Sequence, residues 1–116
     1  MSQKVLEISI IIPLFNEEQS LAALNSRLLS SLSTMNLPYE IIYVNDGSKD
    51  NTLPLVIELS TSNPDIKYID FSRNFGHQQA ISAGLAFATG EYIIIMDGDG
   101  QDPPELIPEL YEKAKS

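Results

Sequence analysis

The chain has 116 residues, of which 43% are hydrophobic, and this is enough for one compact domain and too few for two. Seven basic side chains stand against 16 acidic ones, and the net charge of −9 argues against nucleic acid as a partner. The absence of cysteine excludes disulfides and thiolate zinc sites, and no apolar stretch reaches the roughly 20 residues that cross a bilayer, so we expect a soluble cytoplasmic chain.

Four short apolar runs alternate with four segments of helical length. Taken in chain order, the runs are Glu7–Ile12, Glu40–Val44, Ile66–Phe71 and Tyr92–Met96, and each is nearly continuous, as buried parallel strands are. The helical segments are Glu17–Ser33, Asn51–Ser60 (with a cap at Asp50), Gln78–Ala88 and Pro104–Ala114. This alternation predicts an α/β fold with a doubly wound, mostly parallel sheet and helices on both faces. We expect the strand order 3-2-1-4.

Polar residues follow every predicted strand at its carboxyl end, where open α/β sheets bind their ligands. The four segments are Pro13–Glu17, Asn45–Ser48, Ser72–His77 and Asp97–Asp102. The opposite strand ends carry ordinary turn residues. The sequence therefore predicts one site at this edge of the sheet, with Pro13–Glu17 beside Asp97–Gln101.

The fourth segment has the pattern of a metal site. Asp97 and Asp99 are two residues apart, so both carboxylates leave the same face of an extended chain, and Gln101 continues that face. Gly98 and Gly100 would let a diphosphate approach the backbone. An Asp-rich and Gly-rich turn is the alternative, but it does not explain why an acidic chain crowds further carboxylates there. The spacing does not match a calcium-binding EF-hand loop, and no dinucleotide-binding glycine motif follows the first strand.

The other three segments have structural explanations as well. Asp46 has the position to accept a hydrogen bond from a nucleobase, or it forms a turn that leads into a helix cap. Asn16 and Glu17 can cap the first helix without losing a binding role. Arg73 is suited to a phosphate contact, whereas a lone His77 more often simply begins a helix.

With these four segments, the sequence resembles the family 2 glycosyltransferases of GT-A fold. Within the family it is similar to the branch of dolichyl-phosphate mannose synthases and undecaprenyl-phosphate glucosyltransferases. The residues that carry the resemblance are Ile10–Glu17, Val44–Ser48, Ser72–Gly76 and Met96–Glu105. The most specific of them is the run Asp-Gly-Asp-Gly-Gln-Asp-Pro-Pro, which looks like that of the lipid-phosphate branch.

The resemblance implies an inverting transfer of a sugar from a UDP- or GDP-linked donor to polyprenyl phosphate (undecaprenyl or dolichyl), with Mg²⁺ or Mn²⁺ as cofactor. It implies that Asp97 and Asp99 serve catalysis, that Asp97, Asp99 and Gln101 are the metal ligands, and that Asp46 reads the base. The expected substrate-binding residues are Pro13, Leu14, Asn16, Glu17, Asp46, Ser48, Arg73, Gly76 and Asp97.

The resemblance also implies that residues 1–116 are the nucleotide-sugar-binding part of a longer catalytic domain. The acceptor residues would then lie beyond residue 116, the isolated part would be inactive, and the parent protein would be a membrane-associated and oligomeric enzyme of cell-envelope biosynthesis at the cytoplasmic face. Two alternatives stay open. One is a phosphatase of the haloacid dehalogenase type, which also places Asp-x-Asp after an apolar strand, and the other is a non-catalytic nucleotide-binding module.

Overall fold

A parallel sheet of four strands organises the computed structural model, which describes residues 5–99 and 101–116. The strands are β1 (Ile8–Leu14), β2 (Tyr39–Asp46), β3 (Ile66–Phe71) and β4 (Tyr92–Ile95). Their order is β3-β2-β1-β4, and all three neighbouring pairs are parallel. The predicted order is confirmed, and it makes β1 an inner strand whose carboxyl end lies between those of β2 and β4.

The helices follow the strands as expected, with shifted ends. They are α1 (Leu21–Met35), α2 (Thr52–Ser62), α3 (His77–Phe87) and α4 (Ile107–Lys115), and a 3₁₀ turn at Pro104–Leu106 precedes α4. Helix α1 begins four residues later than predicted because Asn16 has a positive φ of 56° and the following residues form a turn closed on the Glu17 carbonyl. The N-cap residue of α2 is Asn51 and not the predicted Asp50, although the Asp50 carboxylate accepts the N–H of Thr52, the first residue of the helix, at 2.9 Å.

The core lies mainly on the face of the sheet that α1, α2 and α4 cover. All seven residues of β1 are buried, and alternate ones pack against the leucines of α1 at helical spacing. Helix α3 covers the other face through Ala80 and Gly84, where a Cβ on Gly84 would lie 2.5 Å from the Ile11 side chain. Both faces of β1 are thereby shielded, which explains its continuous run of isoleucines.

The outer strands differ from the prediction that every strand is continuously buried. In β4 exposed residues alternate with half-buried ones, and Ile93 and Ile95 are 43% and 45% exposed, while β3 is fully buried only at Ile66. Both strands lie at edges of the four-stranded sheet, and α3 leaves part of its face of β4 open. Among the described residues, no helix has the length and apolar character needed to cross a membrane.

A buried carboxylate fastens the end of the sheet opposite the predicted site. Glu40 on β2 is only 1% exposed, and it accepts hydrogen bonds from the Ser9 hydroxyl at 2.6 Å, the Lys67 ammonium at 2.6 Å and the Thr89 N–H at 2.8 Å. These bonds join three strands to the segment between α3 and β4. The burial of the charge is compensated by several donors, as burial of an ionised group requires.

Candidate functional site

A pocket of about 450 Å³ opens where the strands end at their carboxyl side. We call it the rim pocket. It is lined by Pro13, Leu14, Phe15, Glu17, Asp46, Asn74, Gly76, His77, Asp97, Gly98 and Asp99. All four predicted segments therefore contribute to one cavity, as the strand order requires.

Close packing joins the segment after β4 to the segment after β1. A Cβ on Gly98 would lie 2.6 Å from the Leu14 side chain and 3.0 Å from the Pro13 carbonyl oxygen. The Ser20 Oγ atom, at the start of α1, lies 3.4 Å from the Gly98 carbonyl oxygen and 3.1 Å from Glu17 Oε2, which share its one hydroxyl proton. Gly98 thus serves the contact between the two segments, whereas Gly100 lies outside the described residues.

The two acidic residues predicted as metal ligands both line the rim pocket. The Asp97 carboxylate is half exposed and lies 3.6 Å from His77 Nε2, while Asp99 Oδ1 accepts the Gln101 N–H at 3.0 Å. Their oxygens are the hard donors that Mg²⁺ and Mn²⁺ prefer. Within the part of the chain that is described, no three acidic or histidine side chains converge on a ready-made metal site. A cation held by this pair would need its remaining ligands from a bound anion or water, as Mg²⁺ commonly takes them.

Glu17 adds a third carboxylate to the pocket. Burial raises the pKa of Glu17, a hydrogen bond from the Ser20 hydroxyl opposes that change, and the charges of Asp99 and Asp50 raise the pKa further. Several negative groups therefore crowd this end of the pocket. A bound cation would relieve their mutual repulsion.

Asp46 also lines the pocket and is almost fully buried. Its Oδ1 accepts the Phe75 N–H at 2.8 Å, and its Oδ2 accepts the Gly76 N–H at 3.1 Å and the Asn74 side-chain amide at 3.2 Å. A carboxylate offers about four lone-pair sites, so one acceptor position remains for a ligand. Asp46 therefore holds the segment after β3 in place, and it also lines the rim pocket.

The remaining predicted residues lie next to the rim pocket and do not line it. Ser48 Oγ accepts the Asn16 N–H at 2.9 Å, and Asn16 Oδ1 accepts the Lys49 N–H at 2.8 Å, so both side chains tie two loops together. The Arg73 guanidinium stacks over the Phe75 ring at 4.6 Å and lines a neighbouring cavity. Gln101 is exposed and is absent from the lining of the rim pocket.

Besides Gly98, three lining residues were not among the predicted site residues. Phe15 has a side chain that is 43% exposed at the pocket mouth, and Asn74 and His77 come from the segment after β3. An exposed aromatic directly after a buried strand is a signal that could have identified Phe15, because apolar side chains of that size are usually buried. His77 does begin α3, and it contacts the pocket as well.

Solved structures of glycosyltransferases share this fold. Residues 1–349 of TarS from S. aureus match with a TM-score of 0.72 at 24% identity, over 95% of this chain and 32% of that one. The same protein in complex with UDP-GlcNAc matches with a TM-score of 0.67 at 28% identity, over 81% of this chain and 27% of that one. The mannosyltransferase PcManGT from Pyrobaculum calidifontis, in complex with GDP-Man and Mn²⁺, gives 0.70 at 21% identity, over 97% and 32% of the two chains. The fold is therefore the GT-A fold of these neighbours.

Sequence relatives agree with the structural ones. An uncharacterized glycosyltransferase of Synechocystis sp. is 52% identical over 108 residues, and one of Bacillus subtilis is 46% identical over 110 residues. These alignments cover 93% and 95% of this chain, which spans about a third (34%) of the length of each relative. The sequence model of glycosyl transferase family 2 matches residues 9–116, which is nearly the whole chain and includes every segment of the rim pocket. The chain therefore belongs to glycosyl transferase family 2.

Proposed function

We propose that this chain forms the donor-binding part of an inverting glycosyltransferase that moves a sugar from a UDP- or GDP-linked donor to a polyprenyl phosphate. The observation that carries the proposal is that Asp46, at the end of β2, and Asp97 and Asp99, which follow β4, all line one pocket. A nucleotide sugar needs two different environments, one for the base and one for the charged diphosphate. The rim pocket offers both within about 450 Å³.

The diphosphate end needs positive charge that the protein scarcely provides. The chain carries a net charge of −9, and His77 is the basic side chain among the lining residues. We assign the neutralisation to Mg²⁺ or Mn²⁺ held by Asp97 and Asp99, with Gln101 as a further oxygen ligand. When bound, the ion supplies a counter-charge to the negative charge that develops on the leaving nucleoside diphosphate. A protein of the same fold, PcManGT, is in complex with both GDP-Man and Mn²⁺.

At the base end, Asp46 and Phe15 are the contacts that we assign. Asp46 has one acceptor position left and is held rigidly by the backbone N–H groups of Phe75 and Gly76. Phe15 presents a half-exposed ring at the pocket mouth, where an aromatic side chain can cover a planar base. TarS, which shares 28% identity with this chain over the aligned part, is in complex with UDP and with UDP-GlcNAc in two of its structures.

The acceptor class rests on the sequence around the metal motif and on chemistry. The run from Asp97 to Glu105 resembles that of enzymes that glycosylate lipid phosphates. A phosphate oxygen is already anionic at neutral pH, so its attack on the anomeric carbon requires no strong general base. The new C–O bond forms on the face opposite the breaking bond to the diphosphate, and the anomeric configuration inverts. We expect the residues that hold the acceptor to lie outside residues 1–116.

Calorimetry with the 116-residue chain tests the donor assignment. UDP, GDP, ADP and CDP are titrated separately, each with and without Mn²⁺. We expect UDP or GDP to bind, with an affinity at least about tenfold higher when Mn²⁺ is present, as expected when charge neutralisation comes from the ion. If none of the four binds, or if Mn²⁺ has no effect on any of them, the proposal is wrong. The acceptor is tested by glycosyl transfer to undecaprenyl phosphate and to dolichyl phosphate with the full-length protein.

The two alternative functions receive less support. In a haloacid dehalogenase-type phosphatase the Asp-x-Asp motif follows the first strand, whereas Asp97 here follows the fourth, and membership of glycosyl transferase family 2 points elsewhere. A phosphoryl-enzyme assay with Asp97 intact should remain negative. A non-catalytic nucleotide-binding module would bind the donor equally well, and transfer by the full-length protein separates it from the enzyme.

A further inference from the structure

Asp102 is the third acidic residue after β4, and neither the resemblance nor the pocket gives it a role. It is exposed and is absent from the lining of the rim pocket. Its Oδ2 accepts the backbone N–H of Asp97 at 3.0 Å, five residues back along the chain. A third negative charge beside Asp97 and Asp99 is electrostatically unfavourable in a chain of net charge −9. This hydrogen bond offers a reason for its presence.

The segment that follows Asp102 is fastened to α1. Arg27 forms two hydrogen bonds to the Glu105 carboxylate, at 2.9 Å and 2.6 Å, and the Ser31 hydroxyl donates to the Pro104 carbonyl at 2.9 Å. Bidentate pairing of this kind fixes orientation as well as distance. Asp102 is therefore attached to a fixed part of the fold on its C-terminal side.

The segment that precedes Asp102 is fixed at β4. The Met96 N–H donates to the Ile11 carbonyl at 3.0 Å, so the strand pairing extends to the residue directly before Asp97. Beyond it, the Asp99 carboxylate accepts the Gln101 N–H at 3.0 Å. The bond from Asp97 to Asp102 closes the base of the same turn.

We propose that Asp102 is a positioning residue that fixes the turn carrying Asp97 and Asp99 by accepting the Asp97 N–H, and that it is not itself a metal ligand. The inference rests on the proposed function, because it concerns the cation assigned to this pocket. Outer groups that orient the ligands of a metal typically change its affinity 10- to 100-fold when they are lost. Asp102 acts in this way through the backbone of Asp97.

Two variants separate the role of the acceptor atom from that of the charge. Asp102→Asn keeps a side-chain oxygen at the same distance from the backbone and removes the charge. Asp102→Ala removes both. If Asp102 has a positioning role, the Mn²⁺-dependent gain in nucleotide affinity should be at least about tenfold smaller in the alanine variant than in the wild type. In the asparagine variant, the gain should stay within about threefold of the wild-type gain. A ligand role predicts that both variants lose the gain to a similar extent.

The measurement is the affinity of the 116-residue chain for UDP and for GDP, each with and without Mn²⁺, together with thermal unfolding. Glu112→Ala, an exposed acidic residue of α4, controls for the loss of one negative charge. The nucleotide affinity without Mn²⁺ and the unfolding midpoint should be unchanged in both Asp102 variants. A general loss of structure would lower both of these, which a positioning role at the metal end does not.

Each outcome decides the question. Equal losses in both variants overturn the positioning role, and so does a full Mn²⁺-dependent gain in Asp102→Ala. If Asp102→Ala fails to fold, Asp102→Asn carries the test alone, since retention of the gain supports the proposal and its loss contradicts it. If the wild type shows no Mn²⁺-dependent gain, the proposed function fails and this inference fails with it. If the wild type shows the Mn²⁺-dependent gain and Asp102→Ala retains it, this inference is refuted but the proposed function is not.

Discussion

The backbones of Gly47 and Arg73 are in direct contact, because a Cβ atom added to Gly47 would lie 2.3 Å from the Arg73 carbonyl carbon. The turn after β2 and the turn after β3 therefore meet with no space for a side chain. Gly47 also has a positive φ of 70°, which residues other than glycine rarely adopt. This contact places the segment around Asn74 and Gly76 within reach of the Asp46 carboxylate.

Replacement of Gly47 tests how far that contact supports the fold. We expect Gly47→Ala to lower the free energy of unfolding by about 3 kcal/mol, since overpacking and a positive φ both oppose a Cβ there. Gly76→Ala is the control, because Gly76 has a φ of 107° and its added Cβ would meet no atom within 4 Å. Urea denaturation of both variants measures the difference. A loss at Gly47 no larger than that at Gly76 would show that the two turns are not tightly packed.

Asp99→Asn should separate metal binding from folding. The asparagine retains an oxygen that can accept the Gln101 N–H, so the turn and the thermal midpoint should be preserved. The Mn²⁺-dependent gain in affinity for UDP or GDP should fall by at least about 10- to 100-fold, because a charged ligand of the ion is lost. Calorimetry with and without Mn²⁺ measures the effect. An undiminished gain would exclude Asp99 as a ligand, and early unfolding would show that its main role is in the turn.

Phe15→Leu should weaken nucleotide binding without affecting stability. The ring is 43% exposed at the pocket mouth, so its replacement removes little buried surface. Loss of an aromatic stacking partner typically costs about 1 kcal/mol, which corresponds to roughly a fivefold lower affinity for the nucleotide. Phe87→Leu is the matched control, since Phe87 is 67% exposed and does not line the rim pocket. The assignment fails if both variants bind UDP or GDP as the wild type does.

Glu40→Gln should destabilise the chain in a pH-dependent manner. Burial alone would raise the pKa of Glu40, but hydrogen bonds from Lys67, Ser9 and Thr89 together hold it below its ordinary value of 4.5. Because the folded-state pKa is the lower one, the stabilisation is fully present above pH 4.5 and is lost as the pH falls through the folded-state pKa.

We expect Glu40→Gln to lower the free energy of unfolding by about 2 kcal/mol at pH 7, as the loss of a hydrogen-bonded buried charge does, and by progressively less below pH 4.5. Urea denaturation at pH 7 and at pH 3.5 measures the effect. The free energy of unfolding of the exposed control Glu58→Gln should stay within about 0.5 kcal/mol of the wild type at both pH values. A difference between wild type and Glu40→Gln that is independent of pH would contradict the role of the charge.

The sequence was sufficient to predict the sheet order and the edge of the sheet at which the rim pocket opens. Both follow from the alternation of elements and from the polar segments after each strand, which the register between β1 and β4 brings together. The exposure of Ile93 and Ile95 was not predictable in the same way. The run Tyr92–Ile95 is apolar throughout, and only its position at the sheet edge decides which of its residues face solvent.

Side-chain directions within the loops were also beyond prediction. Asn16 has a φ of 56°, which turns its amide towards the Lys49 N–H, and no strand periodicity applies at such a position. Ser48 and Arg73 likewise follow strands whose carboxyl ends lie at the rim pocket. Their side chains nevertheless contact the Asn16 backbone and the Phe75 ring. The binding roles predicted for these three residues and for Gln101 stay predictions.

The inner position of β1 also constrains how the chain reaches its folded state. The Ser9 hydroxyl accepts the Gly90 N–H at 2.8 Å across 81 residues of sequence. The pairing of β1 with β4 begins next to this bond, at Ile8 and Tyr92. Closing so long a loop costs entropy before any contact compensates for it, and folds with such non-local pairing form slowly. During synthesis on the ribosome, β1 can pair with β2 first, whereas its pairing with β4 must wait until Tyr92–Ile95 has emerged. The segment around Asp97 therefore joins the rim pocket after the segments that follow β1, β2 and β3.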